Sequence, residues 1–100
     1  MSAIPRPGPS PFDEEQLRTV RDFLQREFRG CRHHDSYDAA RRAQIFSIEP
    51  DRGPTYVLLV PEATVQHPDF DLLFTGALAD VIHEAGGVPL MLTPEGVQAA

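Results

Sequence analysis

The sequence predicts an α+β fold, a two-layer sandwich in which helices cover one face of a three-stranded sheet. Three observations predict it: an apolar stripe with helical spacing near the N-terminus, two β-rich runs around a turn, and a second helical stripe before a short apolar run. The predicted order is α-β-β-α-β. A chain of 100 residues forms one domain, and we expect residues 12–100 to form it.

The first eleven residues alternate proline at positions 5, 7, 9 and 11. Proline fixes φ and removes the backbone donor, so this stretch favours an extended conformation over a helix or a central strand. We expect residues 1–11 to form an extended or disordered arm.

A helix is predicted over residues 12–29. Ser10 is a suitable cap and Pro11 suits the first helical position. Gly30 is a suitable terminator. The apolar stripe consists of Leu17, Val20, Leu24 and Phe28. The next residues, 30–42, lack clear periodicity, and we interpret them as a polar loop.

A hairpin is predicted next, because β-rich runs over residues 44–49 and 55–60 flank a turn rich in Pro, Asp and Gly at residues 50–54. The second run is apolar on both faces, which is typical of a central strand.

A second helix is predicted over residues 69–85, ended by Gly86 and Gly87, and a third strand over residues 88–92. The helix-containing link is long enough to make the last two strands parallel. Whether the third strand lies beside the first or the second is left open. Residues 93–95 resemble the cap and first turn of a short C-terminal helix.

So short a chain leaves the second face of the sheet uncovered. We therefore expect exposed apolar side chains at Ile45, Val57 and Leu59, and Leu72 and Leu73 project away from the stripe of the second helix. These five residues are the interface candidates, because exposed apolar surface usually marks an interaction site. The expected partner is a second copy, as a homodimer, or another protein.

Charge is unevenly distributed along the chain. The net charge is -6, the first 42 residues carry +1 and the remainder carry -7. An anion site is therefore confined to the segment 29–42, where internal pairing with Asp35 and Asp38 is the alternative. The candidate ligand-binding residues are Arg29, Arg32, His33, His34, Arg41 and Arg42.

Composition excludes several classes of protein. No apolar run has the length of a membrane span, and the N-terminus lacks the apolar region of a signal peptide. A single cysteine agrees with a reducing compartment, so we expect a cytoplasmic protein. The absence of Lys and Asn suggests a GC-rich, bacterial genome.

Motifs that carry chemistry are incomplete. The sequence contains no GxxxxGK[ST], GxGxxG or GxSxG motif. Cys31, His33, His34 and Asp35 are potential metal ligands without paired zinc-site spacing. We predict no catalytic residue, no metal site and no cofactor, with an enzyme that uses the cluster from Cys31 to His34 as an alternative.

The leading functional hypothesis is a small acidic binding or adaptor protein that acts through an oligomeric or partner interface. The element order is similar to one permutation of the KH RNA-binding fold, which implies nucleic-acid binding. However, residues 61–70 contain no GxxG, and the acidic second half opposes RNA. Binding of nucleic acid or an anionic ligand through residues 29–42 is the alternative.

Overall fold

The computed structural model describes residues 11–100, and its sheet has five strands where the sequence predicted three. The predicted α+β class is confirmed. The predicted arm at residues 1–11 lies, except for Pro11, outside the described residues. The strands are β1 (Arg32–Asp38), β2 (Ala43–Glu49), β3 (Tyr56–Pro61), β4 (Leu90–Thr93) and β5 (Gly96–Ala99). They lie in sequential order across the sheet.

The predicted hairpin and the predicted parallel pair are both confirmed. β2 and β3 pair antiparallel, with Phe46 opposite Leu58. β3 and β4 pair parallel, with Leu58 beside Leu90. The third predicted strand therefore lies beside the second, which settles the order that the sequence left open.

The first helix, α1, spans Glu14–Glu27 and begins two residues later than predicted. Its N-cap is Asp13, whose backbone N–H donates to Gln16 Oε1 at 3.1 Å. The predicted start at residue 12 was wrong, because the Asp13–Gln16 pair caps the helix later in the chain. Ser10, the predicted cap, lies outside the described residues. The buried side chains of α1 are Leu17, Val20, Phe23 and Leu24.

The predicted helix over residues 69–85 is divided. Within that range a 3-10 helix spans Phe70–Leu73 and the second long helix, α3, spans only Gly76–Ala85. Before it, a single helical turn, α2, spans Glu62–Val65. Thr75 is the N-cap of α3 in an extended conformation, and its carbonyl accepts from Leu78 at 3.1 Å. Threonine and glycine have low helix propensity at this point, so the chain turns there instead of continuing one helix.

Both edges of the sheet are strands that the sequence did not predict. Residues 32–38, interpreted as part of a polar loop, form the edge strand β1. The predicted helical turn over residues 93–95 was wrong, because β4 ends there in a tight turn and residues 96–99 return as β5. At that turn Thr93 Oγ1 donates to the Gly96 carbonyl at 2.8 Å, and Gly96 adopts a φ of 138°, which favours glycine.

The hydrophobic core lies between the helices and one face of the sheet. Side chains of strand residues paired across a sheet share a face, so Phe46, Leu58 and Leu90 form one row facing the helices. Their exposed fractions are 2%, 0% and 7%. α1 and α3 contribute Leu24 and Ile82 to the same core cluster. We call the face of the sheet that carries Phe46, Leu58 and Leu90 the covered face, and the opposite face the open face.

Candidate functional site

The open face has an apolar centre and polar margins. The register aligns one row of side chains across all five strands: Ser36, Ile45, Leu59, Met91 and Gln98. The two ends of this row are polar, and its three central members are apolar. Val57 lies next to Leu59 on the same face, since alternate residues of a strand share a face.

Leu59 is only 5% exposed although it does not belong to the hydrophobic core cluster. Ile45, Val57 and Met91 on the same face are half-buried. The sequence predicted an exposed Leu59, and that prediction was wrong. Its neighbours on the open face shield the side chain, which the sequence alone does not reveal.

A mainly apolar hollow of about 420 Å³ lies beside Leu59 on the open face. Its wall is formed by Arg41, Ala43, Leu59, Pro61, Pro89, Met91 and Ala100. Arg41 is its only lining residue with a charged side chain, and that side chain is 63% exposed. The hollow therefore presents apolar surface beside the Arg41 guanidinium group.

A second apolar groove lies between α3 and the β4–β5 hairpin, with a volume of about 260 Å³. Leu73, Val81 and Val97 are among its lining residues. Leu73 is half-buried against the core, whereas Leu72 is 72% exposed. Two interface candidates that are adjacent in sequence therefore lie in different environments.

The six candidate ligand-binding residues do not form one site. Arg29 and Arg32 lie near the start of β1, while Arg41 and Arg42 lie in the turn after its end. A seven-residue strand separates the two pairs by roughly 20 Å at about 3.3 Å per residue. The segment does not fold back as a loop, so the four guanidinium groups do not converge.

The two histidines of this segment point to opposite faces of the sheet. His33 faces the helices, and its Nε2 lies 3.0 Å from the Phe28 carbonyl oxygen. Its Nδ1 is buried without a hydrogen-bond partner among the described residues. His34 faces the open side, with Nε2 3.3 Å from Glu49 Oε1. The Cys31 thiol donates to the Arg29 carbonyl at 3.9 Å.

Asp35 anchors β1 to α1. Its carboxylate accepts from Arg21 Nε at 2.8 Å and Arg21 Nη2 at 2.9 Å, and from Gln44 Nε2 at 2.6 Å. The hydrogen bonds from Arg21 hold the pKa of Asp35 below its ordinary value, against the opposing effect of burial. The Asp35 side chain is 10% exposed, so this ion pair mainly attaches the edge strand to the helix layer.

A second polar contact lies where β1 ends. The Tyr37 hydroxyl donates to Glu62 Oε2 at 2.7 Å, and Arg42 Nε lies 3.3 Å from the same oxygen. The hydrogen bond to Glu62 raises the pKa of Tyr37, and the same bond lowers the pKa of Glu62. Arg41 Nε lies 3.8 Å from Asp38 Oδ2. Both arginines of this turn are therefore paired with carboxylates, Arg41 with Asp38 inside the segment 29–42 and Arg42 with Glu62 outside it.

The part of the chain that the structure describes holds no group of three or more His, Cys, Asp or Glu side chains that could bind a metal ion. Within residues 11–100, no helix combines the length and the apolar character needed to cross a membrane.

Several residues of these surfaces escaped the sequence analysis. Met91 and Pro89 were assigned to a strand but not to the open face, because the position of that strand was undecided. Val81, which lines the second groove and is 40% exposed, was likewise not predicted as an interface residue. Only the strand order, which is a tertiary property, shows that Met91 lies beside Leu59.

Comparisons with known proteins add no relative to this description. No family model, no curated protein and no solved structure matches the chain. The open face and its hollow therefore carry the functional argument.

Proposed function

We propose that this chain is a small binding or adaptor module that docks an apolar segment of a partner protein on the open face of its sheet. The observation that carries the proposal is the hollow of about 420 Å³ beside Leu59 and Met91, with Arg41 at its wall. Apolar side chains seated in such hollows supply much of the energy of protein interfaces.

The chemistry of the hollow specifies the kind of segment. Its apolar wall favours an aliphatic or aromatic side chain as the anchor. Arg41 is the wall residue with a charged side chain. Its Nε lies 3.8 Å from Asp38 Oδ2, and its two Nη groups remain for a carboxylate adjacent to that anchor. The favoured partner is therefore an apolar segment with a flanking Asp or Glu.

Peptide display on the immobilised full chain tests this proposal. We expect enrichment of sequences that combine an apolar anchor with an acidic neighbour. A synthetic peptide with the enriched sequence should bind at least about tenfold more weakly to Met91→Asp, which places a carboxylate in the wall of the hollow. Ile45→Asp should weaken binding similarly, because Ile45 lies beside Leu59 on the apolar centre of the open face. Arg41→Glu should weaken binding by a smaller factor.

Val88→Asp is the matched control, because Val88 is exposed but precedes β4 and does not line the hollow. Its binding of the peptide should equal that of the wild type. Failure to enrich any apolar-acidic sequence, or equal weakening by Val88→Asp and Ile45→Asp, would refute the proposal. Conversion of an oligomer to monomers by Ile45→Asp would instead assign the open face to self-association.

A further inference from the structure

The outer edge of β1 offers a long strand for pairing. β1 has seven residues and pairs with β2 in continuous register from Arg32 to Asp38. β5, at the other edge, has only four residues. Within residues 11–100 no strand pairs with the outer side of β1. An edge of this length presents unpaired backbone donors and acceptors that another strand can use.

The sequence of β1 is complementary to itself in the antiparallel direction. When a second β1 is placed antiparallel with Asp35 opposite Asp35, Arg32 of each copy lies opposite Asp38 of the other. Both residues lie on the open face, as their register with β2 shows. The two-fold symmetry forms this cross-strand ion pair twice, and directly opposed charges of unlike sign stabilise a strand pair.

Other registers lack this complementarity. A shift by one residue would turn the open face of one copy toward the covered face of the other. The registers shifted by two residues pair only five residues of each strand and lose both Arg32–Asp38 contacts. The arrangement centred on Asp35 pairs all seven residues and is therefore the favoured one.

The central carboxylates are already neutralised within each copy. Asp35 lies on the covered face and accepts hydrogen bonds from Arg21 on α1 and from Gln44 on β2. These partners draw the carboxylate toward the interior and away from the outer edge. The like charges at the centre of the seam are thus each held by an internal donor, which reduces their repulsion.

We propose that two copies of this chain pair through β1 around a two-fold axis at Asp35 and form a continuous ten-stranded sheet. An axis of an antiparallel strand pair runs perpendicular to the sheet, so both open faces lie on the same side. The dimer presents two apolar hollows to one partner. That bivalent presentation rests on the proposed function, whereas the pairing itself does not.

Sedimentation velocity of the full chain over a concentration series tests the pairing. We expect a concentration-dependent dimer for the wild type. Arg32→Glu and Asp38→Arg should each weaken it about tenfold or more, because each variant places like charges opposite each other twice. An equimolar mixture of the two variants should recover the dimer, because the mixed pair restores opposite charges at both contacts.

Arg29→Glu is the matched control, because Arg29 is exposed and precedes β1. It changes the net charge by the same amount and should leave the dimer intact. Circular dichroism of every variant establishes that it folds, which matters for Asp38 because its Oδ1 accepts from the Ala40 backbone N–H. A monomeric wild type at all concentrations, or no recovery in the mixture of folded variants, overturns the proposal.

Cysteine cross-linking reports the register independently of charge. In a Cys31→Ser background, His34→Cys and Ser36→Cys proteins are mixed and oxidised. The favoured register places positions 34 and 36 opposite each other, within the Cα distance of a disulfide, so the mixture should give a mixed disulfide dimer. Cross-linking of Ser36→Cys protein alone, without the mixed product, would show a shifted register. A dimer abolished by Ile45→Asp but unaffected by Arg32→Glu would move the interface to the open face.

Discussion

Two neighbouring rows of side chains, on opposite faces of the same strands, differ in what covers them. The covered row contains Asp35, Phe46, Leu58 and Leu90, and the open row contains Ser36, Ile45, Leu59 and Met91. Both begin with a polar residue on β1 and continue with three apolar ones. The helices bury the first row almost completely, whereas Ile45 and Met91 of the second remain half-buried.

The comparison shows that apolar strand residues do not by themselves reveal which face is the core. β3 is apolar on both faces, yet its helix side belongs to the core cluster and its open side does not. The difference arises from α1 and α3, which lie on one side only. Apolar surface that remains on the open side is thus available for association.

The largest expected effect comes from the adjacent leucines of β3. Leu58→Ala removes a side chain enclosed between sheet and helices and should lower the free energy of unfolding by about 2–5 kcal/mol. Leu59→Ala should cost about half as much, because the open face relaxes around the deletion more easily. Urea unfolding of both variants measures the difference, and equal losses would contradict the distinction between the faces.

The polar ends of the two rows provide the next comparison. Asp35→Asn removes the charge that Arg21 pairs with and should lower the free energy of unfolding by about 1–3 kcal/mol. Ser36→Ala, one residue later on the open face, should change it by less than about 0.5 kcal/mol. Thermal unfolding at neutral pH distinguishes them, and a larger loss for Ser36→Ala would refute the anchoring role of Asp35.

Acid should remove the stabilisation that the ionised Asp35 carboxylate gives to the folded state. Because the folded state lowers the pKa of Asp35, its stabilisation is fully present above the unfolded pKa of about 3.9. It is lost as the pH falls through the still lower folded pKa. The stability difference between wild type and Asp35→Asn should therefore narrow below about pH 4. The lowered pKa of Glu62 affects both proteins alike. A difference that stays constant into this range would exclude the ionised carboxylate as its cause.

The smallest expected effect concerns valine on the open face. Val57→Thr preserves shape and should change the free energy of unfolding by less than about 0.5 kcal/mol. Val60→Thr, on the covered face at 0% exposure, buries a hydroxyl and should cost about 1–3 kcal/mol. Denaturant unfolding of the pair tests this, and a substantial loss for Val57→Thr would show that the open face is covered in the isolated protein.

The sequence predicted the elements whose signals are local. The stripe of α1, the hairpin of β2 and β3, and the parallel link to β4 follow from periodicity, turn residues and connection length. β1 carried no such signal, since it contains His33, Asp35 and Tyr37 where a core strand would have apolar residues. The turn after it also lacks Gly and Pro, and Arg42 takes the left-handed conformation there with φ of 51°.

The candidate site was predicted only in part, because only some of its residues carry a local signal in the sequence. Ile45, Val57 and Leu59 were placed on an uncovered face by counting the helices available to cover the sheet. Met91 and the hollow could not be predicted, because they depend on which strands are neighbours. The Arg and His candidates were adjacent in sequence, but an extended strand separates their ends and directs successive side chains to opposite faces.

By itself the sequence determined the class of the fold, the central hairpin and the existence of an apolar face without a helix, because composition, periodicity and chain length are local or additive properties. Only the tertiary structure decided that polar residues 32–38 form an edge strand. Their internal partners, Arg21 on α1 and Glu62 after β3, lie far away in sequence. Such contacts satisfy buried polar groups without leaving a periodic pattern in the chain.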